Sequence, residues 1–154
     1  MNTLPLRVVL VDDDHDYRQL IRWALTSAIQ SVVIEEMANG HELLNWLAQQ
    51  QSLSTDALTT DSGFVTIILL DMKMPELTGL ETMQSLAAMS DLAYMPVLML
   101  TGSMSDQLKE QAYEQGIHLY MVKPIGPRGF HRVVEAVKLC YRDTLRMRDQ
   151  LEIP

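Results

Sequence analysis

The chain has 154 residues, a length that fits one ordinary domain with a single hydrophobic core. Twenty acidic and twelve basic residues give a formal net charge of −8, which disfavours nonspecific binding to nucleic acid or to anionic membranes. Cys140 is the single cysteine, and no apolar run approaches the ~20 residues that cross a bilayer, so we expect no intrachain disulfide, no membrane span and a cytoplasmic location.

Short apolar runs alternate with longer segments of helical periodicity. The apolar runs, which we interpret as strands, lie near residues 6–12, 31–37, 64–70, 95–101 and 117–122. The last helical segment begins near Pro127 and is predicted to run to about Gln150. Five strand–helix repeats predict an α/β fold, with a doubly wound five-stranded parallel sheet, right-handed crossovers and helices on both faces.

One polar segment departs from this alternation. Residues 49–63 read QQQSLSTDALTTDSG, with little apolar periodicity, and we predict a long surface loop between the second helix and the third strand. A tolerated insertion is the simpler interpretation of this loop, and a contact with a specific partner is the alternative. Nothing in the pattern indicates a second domain, so residues 1–154 are predicted to form a single domain.

A four-residue apolar run, VVLV, leads directly into Asp12, Asp13 and Asp14. Such a run is typical of a strand that is buried on both faces in a parallel sheet. Adjacent carboxylates repel one another, since one pair of like charges ~4 Å apart costs on the order of 4 kcal/mol at an effective dielectric of 20. Either a cation compensates this repulsion or the side chains point into water. We interpret Asp14 separately, as the N-cap of the first helix.

The other predicted strands also end at residues with functional side chains. The third strand is followed by Asp71, the fourth by Thr101 and the fifth by Lys123. The carboxyl ends of parallel strands lie at one edge of a sheet, which is where open α/β folds bind ligands. We therefore expect acids, one hydroxyl and one ammonium to converge at that edge.

The motifs VDDD, LLDMKMPELTG, MLTG and YMVKP occur in this order and resemble those of the receiver domain of bacterial response regulators, such as the chemotaxis regulator. The resemblance extends from about residue 6 to about residue 141. Asp71 precedes Thr101 by 30 residues and Thr101 precedes Lys123 by 22, as in the family, whereas the predicted loop lengthens the interval before Asp71. The resemblance implies a flavodoxin-like (βα)5 fold with strand order 2-1-3-4-5, which the alternation and handedness rules also favour.

The resemblance also implies a role for each acid. Asp71 is similar to the phosphoacceptor, whose carboxylate attacks a phosphoryl group and becomes an acyl phosphate. Asp13 would bind Mg²⁺ directly, Asp12 largely through water, and Asp71 and the backbone carbonyl of Lys73 would supply further oxygen ligands. The alternative for Asp12 and Asp13 is a solvated acidic loop without a metal.

The remaining motif residues resemble the lysine and the switch residues of the family. Lys123 would pair with the acceptor carboxylate and then with the phosphoryl oxygens, and its bond to Pro124 is expected to be cis. Thr101 would hydrogen-bond a phosphoryl oxygen, and Tyr120 would turn into the space that this movement vacates. The alternative for Tyr120 is a half-buried strand aromatic that does not move.

The function that this resemblance implies is a phosphorylation-dependent switch in a two-component phosphorelay. A sensor histidine kinase or a histidine phosphotransfer protein would phosphorylate Asp71, and the protein would catalyse only its own phosphorylation and slow dephosphorylation. A downstream protein would bind the face formed by the fourth helix, fifth strand and fifth helix, through which family members also dimerise. We expect no DNA-binding output domain, and no direct contact with nucleic acid or membrane.

Two alternatives remain open. A haloacid-dehalogenase-like phosphatase also uses a strand-end aspartate with a second acid two residues on, a spacing that Asp12 and Asp14 imitate. The lack of a cap-domain insertion and the unexplained Asp-x-Lys at Asp71 argue against it. The other alternative is a receiver-like docking module that no longer accepts phosphate.

Overall fold

The structure, a computed structural model, describes residues 4–53, 63–89, 95–102 and 104–152. Strands and helices alternate along the chain in the order β1 (Leu6–Val11), α1 (His15–Ala28), β2 (Val33–Met37), α2 (Gly40–Leu53), β3 (Val65–Asp71), α3 (Gly79–Ala87), β4 (Val97–Thr101), α4 (Asp106–Glu114), β5 (Leu119–Val122) and α5 (Pro127–Glu152). All strand pairs are parallel, and the strand order is β2-β1-β3-β4-β5. The predicted doubly wound, flavodoxin-like fold is therefore confirmed.

The three central strands are buried on both faces. Alternate residues of β1 and β3 enter two hydrophobic clusters, so that Val9 and Ile68 lie on one face of the sheet and Val8 and Ile67 lie on the other. Helices α2, α3 and α4 cover the first face, and α1 and α5 cover the second. This double burial explains why the central strands are continuous apolar runs rather than alternating ones. It also holds the strand ends, which carry the polar residues, in a fixed geometry.

Local sequence signals fix several helix ends. The Asp14 carboxylate accepts a hydrogen bond from the backbone N–H of Tyr17 at 3.2 Å, which confirms Asp14 as the N-cap of α1. Thr78 and Glu81 form a reciprocal capping box at the start of α3. Gly116 has a φ of +102° directly after α4, and its N–H donates to the carbonyl of Tyr113 at 3.0 Å. The glycine therefore ends this helix, as its place just before the strand predicted near residues 117–122 indicates.

The predicted loop begins later than expected. Helix α2 continues through Leu53, so residues 49–53 of the predicted 49–63 loop are helical and that boundary is wrong. Gln49 is exposed, and glutamine is a good helix former, so this stretch is helical although its sequence shows little apolar periodicity. Residues 54–62 lie outside the described residues. The C-terminal helix, predicted to end near residue 150, ends at Glu152.

Among the described residues, the structure contains no helix with the length and apolar character that crossing a bilayer requires.

Candidate functional site

Three carboxylates meet at the carboxyl edge of the sheet. Asp12 follows β1 and Asp71 ends β3, and these two neighbouring strands pair Val11 with Leu70 at their ends. One carboxylate oxygen each from Asp12, Asp13 and Asp71 lies within 4.8 Å of the others. Asp12 and Asp71 are buried, whereas Asp13 is exposed. The cluster therefore has two acids beneath the surface and one at its rim.

The Lys123 ammonium lies between the two buried carboxylates. Its Nζ is 2.7 Å from Oδ2 of Asp12 and 3.5 Å from Oδ1 of Asp71. Burial lowers the pKa of Lys123, but the hydrogen bond to Asp12 and the charges of both acids outweigh this effect and raise the pKa above its usual value. One ammonium facing three carboxylates leaves two negative charges in this cluster uncompensated by Lys123. Of the two alternatives that the sequence left open, a compensating cation or acids pointing into water, the structure thus supplies a cation, Lys123, which neutralises the cluster only in part.

The environment of Asp71 suits a reactive carboxylate. Burial, followed by the neighbouring charge of Asp12, raises the pKa of Asp71 to about 6, against the lowering effects of Lys123 and of the Lys73 N–H. That backbone N–H donates to Oδ1 of Asp71 at 3.3 Å. The carboxylate is therefore ionised above about pH 6, and two donors orient it. A buried, oriented carboxylate with an ammonium beside it can act as a nucleophile toward an anionic group.

Gly79 holds the chain close behind Asp71. Its N–H donates to the carbonyl of Met72 at 2.9 Å. A Cβ at this position would lie 2.6 Å from the carbonyl oxygen of Asp71 and 2.8 Å from the Cα of Met72. Nothing in the sequence indicated that the start of α3 packs directly on the backbone of Asp71.

An ion-pair network on α1 supports the β1–α1 loop, and sequence reasoning missed it. Arg18 Nε lies 3.1 Å from Glu36 Oε1, and Arg22 Nε lies 2.6 Å from Glu36 Oε2. Burial raises the pKa of Glu36, but the hydrogen bonds and charges of Arg22 and Arg18 outweigh it, so the pKa falls below its usual value. Arg18 also donates from Nη1 to the backbone carbonyl of Asp12. The network thus links β2, α1 and the first acid of the cluster.

The Lys123–Pro124 peptide bond is trans, so the prediction of a cis bond is wrong. A trans X–Pro bond is favoured by about 0.5–1 kcal/mol when nothing else decides the isomer. Lys123 reaches the carboxylates from this trans backbone because its four-carbon side chain is long and flexible.

The structure places the two predicted switch residues on adjacent strands. Thr101 ends β4 and is buried, and its carbonyl accepts from the N–H of Lys123 at 2.6 Å. Tyr120 lies in β5 opposite Met99, and its side chain is 4% exposed, more buried than the half-buried position that we considered. Its hydroxyl has no hydrogen-bond partner among the described residues.

The fold and the acidic site together define a receiver domain. A family model for the response regulator receiver domain matches residues 8–135, which is most of the chain. The protein therefore belongs to the response-regulator receiver family of two-component systems.

Similar proteins include regulators from different organisms. The probable methanogenesis regulatory protein FilR2 of Methanothrix harundinacea is 26% identical over 134 residues, which cover 87% of this chain and 82% of FilR2. The transcriptional regulatory protein SrrA of Staphylococcus aureus is 29% identical over 137 residues, which cover 89% of this chain and 48% of SrrA. The chain thus spans about half of the length of SrrA. It spans 30% of the length of another relative, the cyclic di-GMP phosphodiesterase response regulator RpfG of Xanthomonas campestris.

The fold likewise matches solved structures. The chemotaxis protein CheY4 of Vibrio cholerae, crystallised at pH 4.0, superimposes with a TM-score of 0.66 at 28% identity, covering 86% of this chain and 98% of CheY4.

Proposed function

We propose that this protein is a phosphorylation-dependent switch whose phosphoacceptor is Asp71. The observation that carries the proposal is the placement of the Lys123 ammonium between the buried carboxylates of Asp12 and Asp71, with Asp13 at the rim. A carboxylate that attacks a phosphoryl group needs compensating positive charge, because both the nucleophile and the incoming group are anionic. In the proposed step, an Asp71 oxygen forms a bond to phosphorus while the bond between phosphorus and the donor's leaving group breaks.

The donor set fits a magnesium ion. Carboxylate oxygens from Asp12, Asp13 and Asp71 lie close enough to share one cation, and the backbone carbonyl of Lys73 is the proposed fourth protein ligand. When bound there, Mg²⁺ would supply positive charge to the phosphoryl oxygens and lower the repulsion between acids. Asp13 is proposed as a direct ligand and Asp12 as one acting largely through water.

Magnesium is expected to raise the melting temperature of the protein. A ligand that binds only the folded state at ten times its dissociation constant adds about 1.4 kcal/mol of stability, which corresponds to ~3–6 °C for a domain of this size. The measurement is a thermal melt at constant ionic strength over a series of Mg²⁺ concentrations.

A pair of matched variants distinguishes Mg²⁺ binding at a specific site from general screening of the protein's negative charge by the cation. Asp13 and Asp14 are adjacent, exposed acids, but only Asp13 belongs to the cluster. Asp13→Asn should reduce the response to Mg²⁺, whereas Asp14→Asn should preserve it, because asparagine is an equally good N-cap. An equal response in both variants, or no rise with millimolar Mg²⁺ in the wild type, contradicts the metal assignment.

The proposed switch couples Asp71 to the outer face of α4, β5 and α5. A phosphoryl group adds a charge of about −2, and the Thr101 hydroxyl is proposed to bond one of its oxygens. Tyr120 would then turn into the space that the movement of Thr101 vacates, since it lies on the strand next to Thr101. This face, which we propose as the surface for a downstream protein or a second copy of the chain, exposes 40% of Tyr113, 46% of Val122 and 55% of Leu139.

Tyr120→Phe is expected to stabilise the unphosphorylated protein. The buried hydroxyl lacks a partner among the described residues, and such a group costs ~1–3 kcal/mol. Removing it should raise the melting temperature by at least ~2 °C. The control is Tyr113→Phe, because the Tyr113 hydroxyl accepts a hydrogen bond from the N–H of Tyr120 at 3.2 Å and its loss should lower stability. A Tyr120→Phe protein that melts below the wild type would show that the hydroxyl is satisfied in solution.

The proposed partners follow from the family. Response regulators receive phosphoryl groups from histidine kinases or histidine phosphotransfer proteins, and we propose such a donor for this chain, in the cytoplasm. We propose that residues 1–154 act as a single receiver domain, without direct contacts to nucleic acid or membrane.

The test is incubation with a radiolabelled small acyl phosphate and Mg²⁺. A receiver takes up one phosphoryl group per chain in an acid-stable, base-labile linkage. A haloacid-dehalogenase-like phosphatase would instead turn over a phosphate ester, and a docking module would take up no label.

A further inference from the structure

The side chain of Tyr17 lies directly beside the ammonium of the site. Tyr17 is in the first turn of α1, and the Nζ of Lys123 lies over its ring, 4.4 Å from the ring centroid. The ring also contacts that of Phe130 in α5, with centroids 6.0 Å apart. Lys123 is thus held between two carboxylates and an aromatic face. A cation over such a face is attracted by the negative potential of the ring.

The hydroxyl of Tyr17 makes a second link to the same segment. It donates to the backbone carbonyl of Pro124 at 3.1 Å, a contact between residues 107 positions apart in the chain. Burial, together with the charges of Asp12 and Asp71, raises the pKa of Tyr17, so the hydroxyl keeps its proton and remains a donor. One side chain therefore contacts both the ammonium of Lys123 and the backbone of the residue after it.

Tyr17 is itself fixed by the acidic loop. The Asp14 carboxylate accepts from the N–H of Tyr17, and the N–H of Asp14 donates to Oδ1 of Asp12 at 2.9 Å. These contacts link the backbone of Tyr17 to the carboxylate of Asp12, which Lys123 contacts most closely. The ring and the carboxylate therefore both contact the same ammonium, and the residues that carry them are linked through Asp14.

We propose that Tyr17 is a positioning residue for Lys123: its ring holds the ammonium toward Asp12 and Asp71, and its hydroxyl holds the Lys123–Pro124 backbone. The effect of Tyr17 on phosphorylation rests on the proposed phosphoacceptor function, whereas its contacts with Lys123 and Pro124 do not. Lysine side chains are flexible and lose conformational freedom when they are held in one place. Without the ring, Lys123 would sample positions in water and would meet the incoming phosphoryl group less often.

The ring and the hydroxyl have separable effects on phosphorylation. Tyr17→Phe keeps the ring, so the initial rate of labelling by a small acyl phosphate should stay within about threefold of the wild type. Tyr17→Leu removes the ring and should lower this rate about tenfold, within the range expected for a partly desolvated cation–π contact. Recovery of most of the rate by phenylalanine distinguishes positioning of the ammonium from the backbone link.

A spectroscopic signature reports on the position of Lys123 without any phosphoryl donor. Protons above the face of an aromatic ring resonate upfield, so the ε-methylene protons of Lys123 should be shifted upfield in the wild type and in Tyr17→Phe. The shift should vanish in Tyr17→Leu. Ordinary shifts for these protons in the wild type would overturn the proposal, and this measurement stands even if the leucine variant does not fold.

Tyr141 provides a matched control far from the site. It is also a partly buried tyrosine whose hydroxyl donates to a backbone carbonyl, that of Leu4. Tyr141→Leu should leave the rate of labelling and the Lys123 shifts unchanged. Equal losses of rate in the Tyr17→Leu and Tyr141→Leu proteins would show general destabilisation and would overturn the positioning role. A wild-type protein that takes up no label, yet shows the shifted lysine protons, would refute the proposed function while leaving the placement of Lys123 supported.

Discussion

Asp71→Asn is expected to reduce phosphoryl labelling from a small acyl phosphate to background. Asparagine preserves the shape of the side chain but removes the anionic oxygen that attacks phosphorus. The neighbours of Asp71, including the ammonium of Lys123 and the N–H of Lys73, would remain in place. The measurement compares incorporated label per chain, with Mg²⁺ present, in the wild type and the variant.

A fold control accompanies this comparison. Folding raises the pKa of Asp71 from 3.8 to about 6, so its ionised form is disfavoured in the folded protein relative to the unfolded chain. The charge therefore begins to cost stability above about pH 4, and the cost is complete above about pH 6. Asp71→Asn should therefore melt no lower than the wild type when Mg²⁺ is removed. Asp14→Asn, a change of the same type at an exposed neighbouring acid, should retain full labelling. Undiminished label in Asp71→Asn would place the acceptor at another residue.

The fold could be predicted because its signals are local and strong. The VVLV run indicates a strand that is buried on both faces. Five strand–helix repeats that include such strands are compatible with few topologies. Gly116 and Asp14 marked helix ends through conformational and capping preferences that act within a few residues. The end of α2 was not predictable in this way. Its last turns continue through polar residues such as Gln49, where no apolar pattern separates helix from loop.

The candidate site was predictable to the extent that it consists of strand ends. Asp12, Asp71 and Lys123 had to converge once the sheet was parallel, and the resemblance supplied their expected roles. The contacts that orient these residues are different, because they join segments that are distant in sequence. No local spacing pattern in the sequence predicts the hydrogen bond from Tyr17 to Pro124 or the ion pair between Arg18 and Glu36. The cis expectation at Pro124 came from the resemblance alone, and the trans bond corrects it.

Taken together, these contacts show that α1 does more than cover the sheet. Its N-cap, Asp14, binds through its N–H to Asp12, and Arg18 binds the carbonyl of Asp12. Tyr17 contacts the ammonium of Lys123 with its ring. The first turn of one helix therefore orients both the acid and the ammonium that flank Asp71. Changes in this turn are expected to alter the chemistry at Asp71 more than equally buried changes elsewhere in the molecule.

Gly79→Ala is expected to destabilise the protein and to impair labelling together. The added methyl would lie 2.6 Å from the carbonyl oxygen of Asp71 and 2.8 Å from the Cα of Met72, and both neighbours are backbone atoms that no rotamer change can move. Relief requires α3 to move away from the end of β3, which also shifts Asp71. Overpacking of this kind typically costs about 1–3 kcal/mol, or roughly 2–12 °C in melting temperature for a domain of this size.

Gly102→Ala is the matched control, because it makes the same change beside the same site. Gly102 directly follows Thr101, and a Cβ there meets no atom within 4 Å among the described residues. Its melting temperature should therefore stay close to that of the wild type. Thermal melts and the labelling assay on both variants measure the two effects in parallel. If Gly79→Ala were as stable and as readily labelled as Gly102→Ala, the start of α3 would not pack against Asp71 as closely as the structure shows. Some other contact would then have to hold the backbone of Asp71 in position.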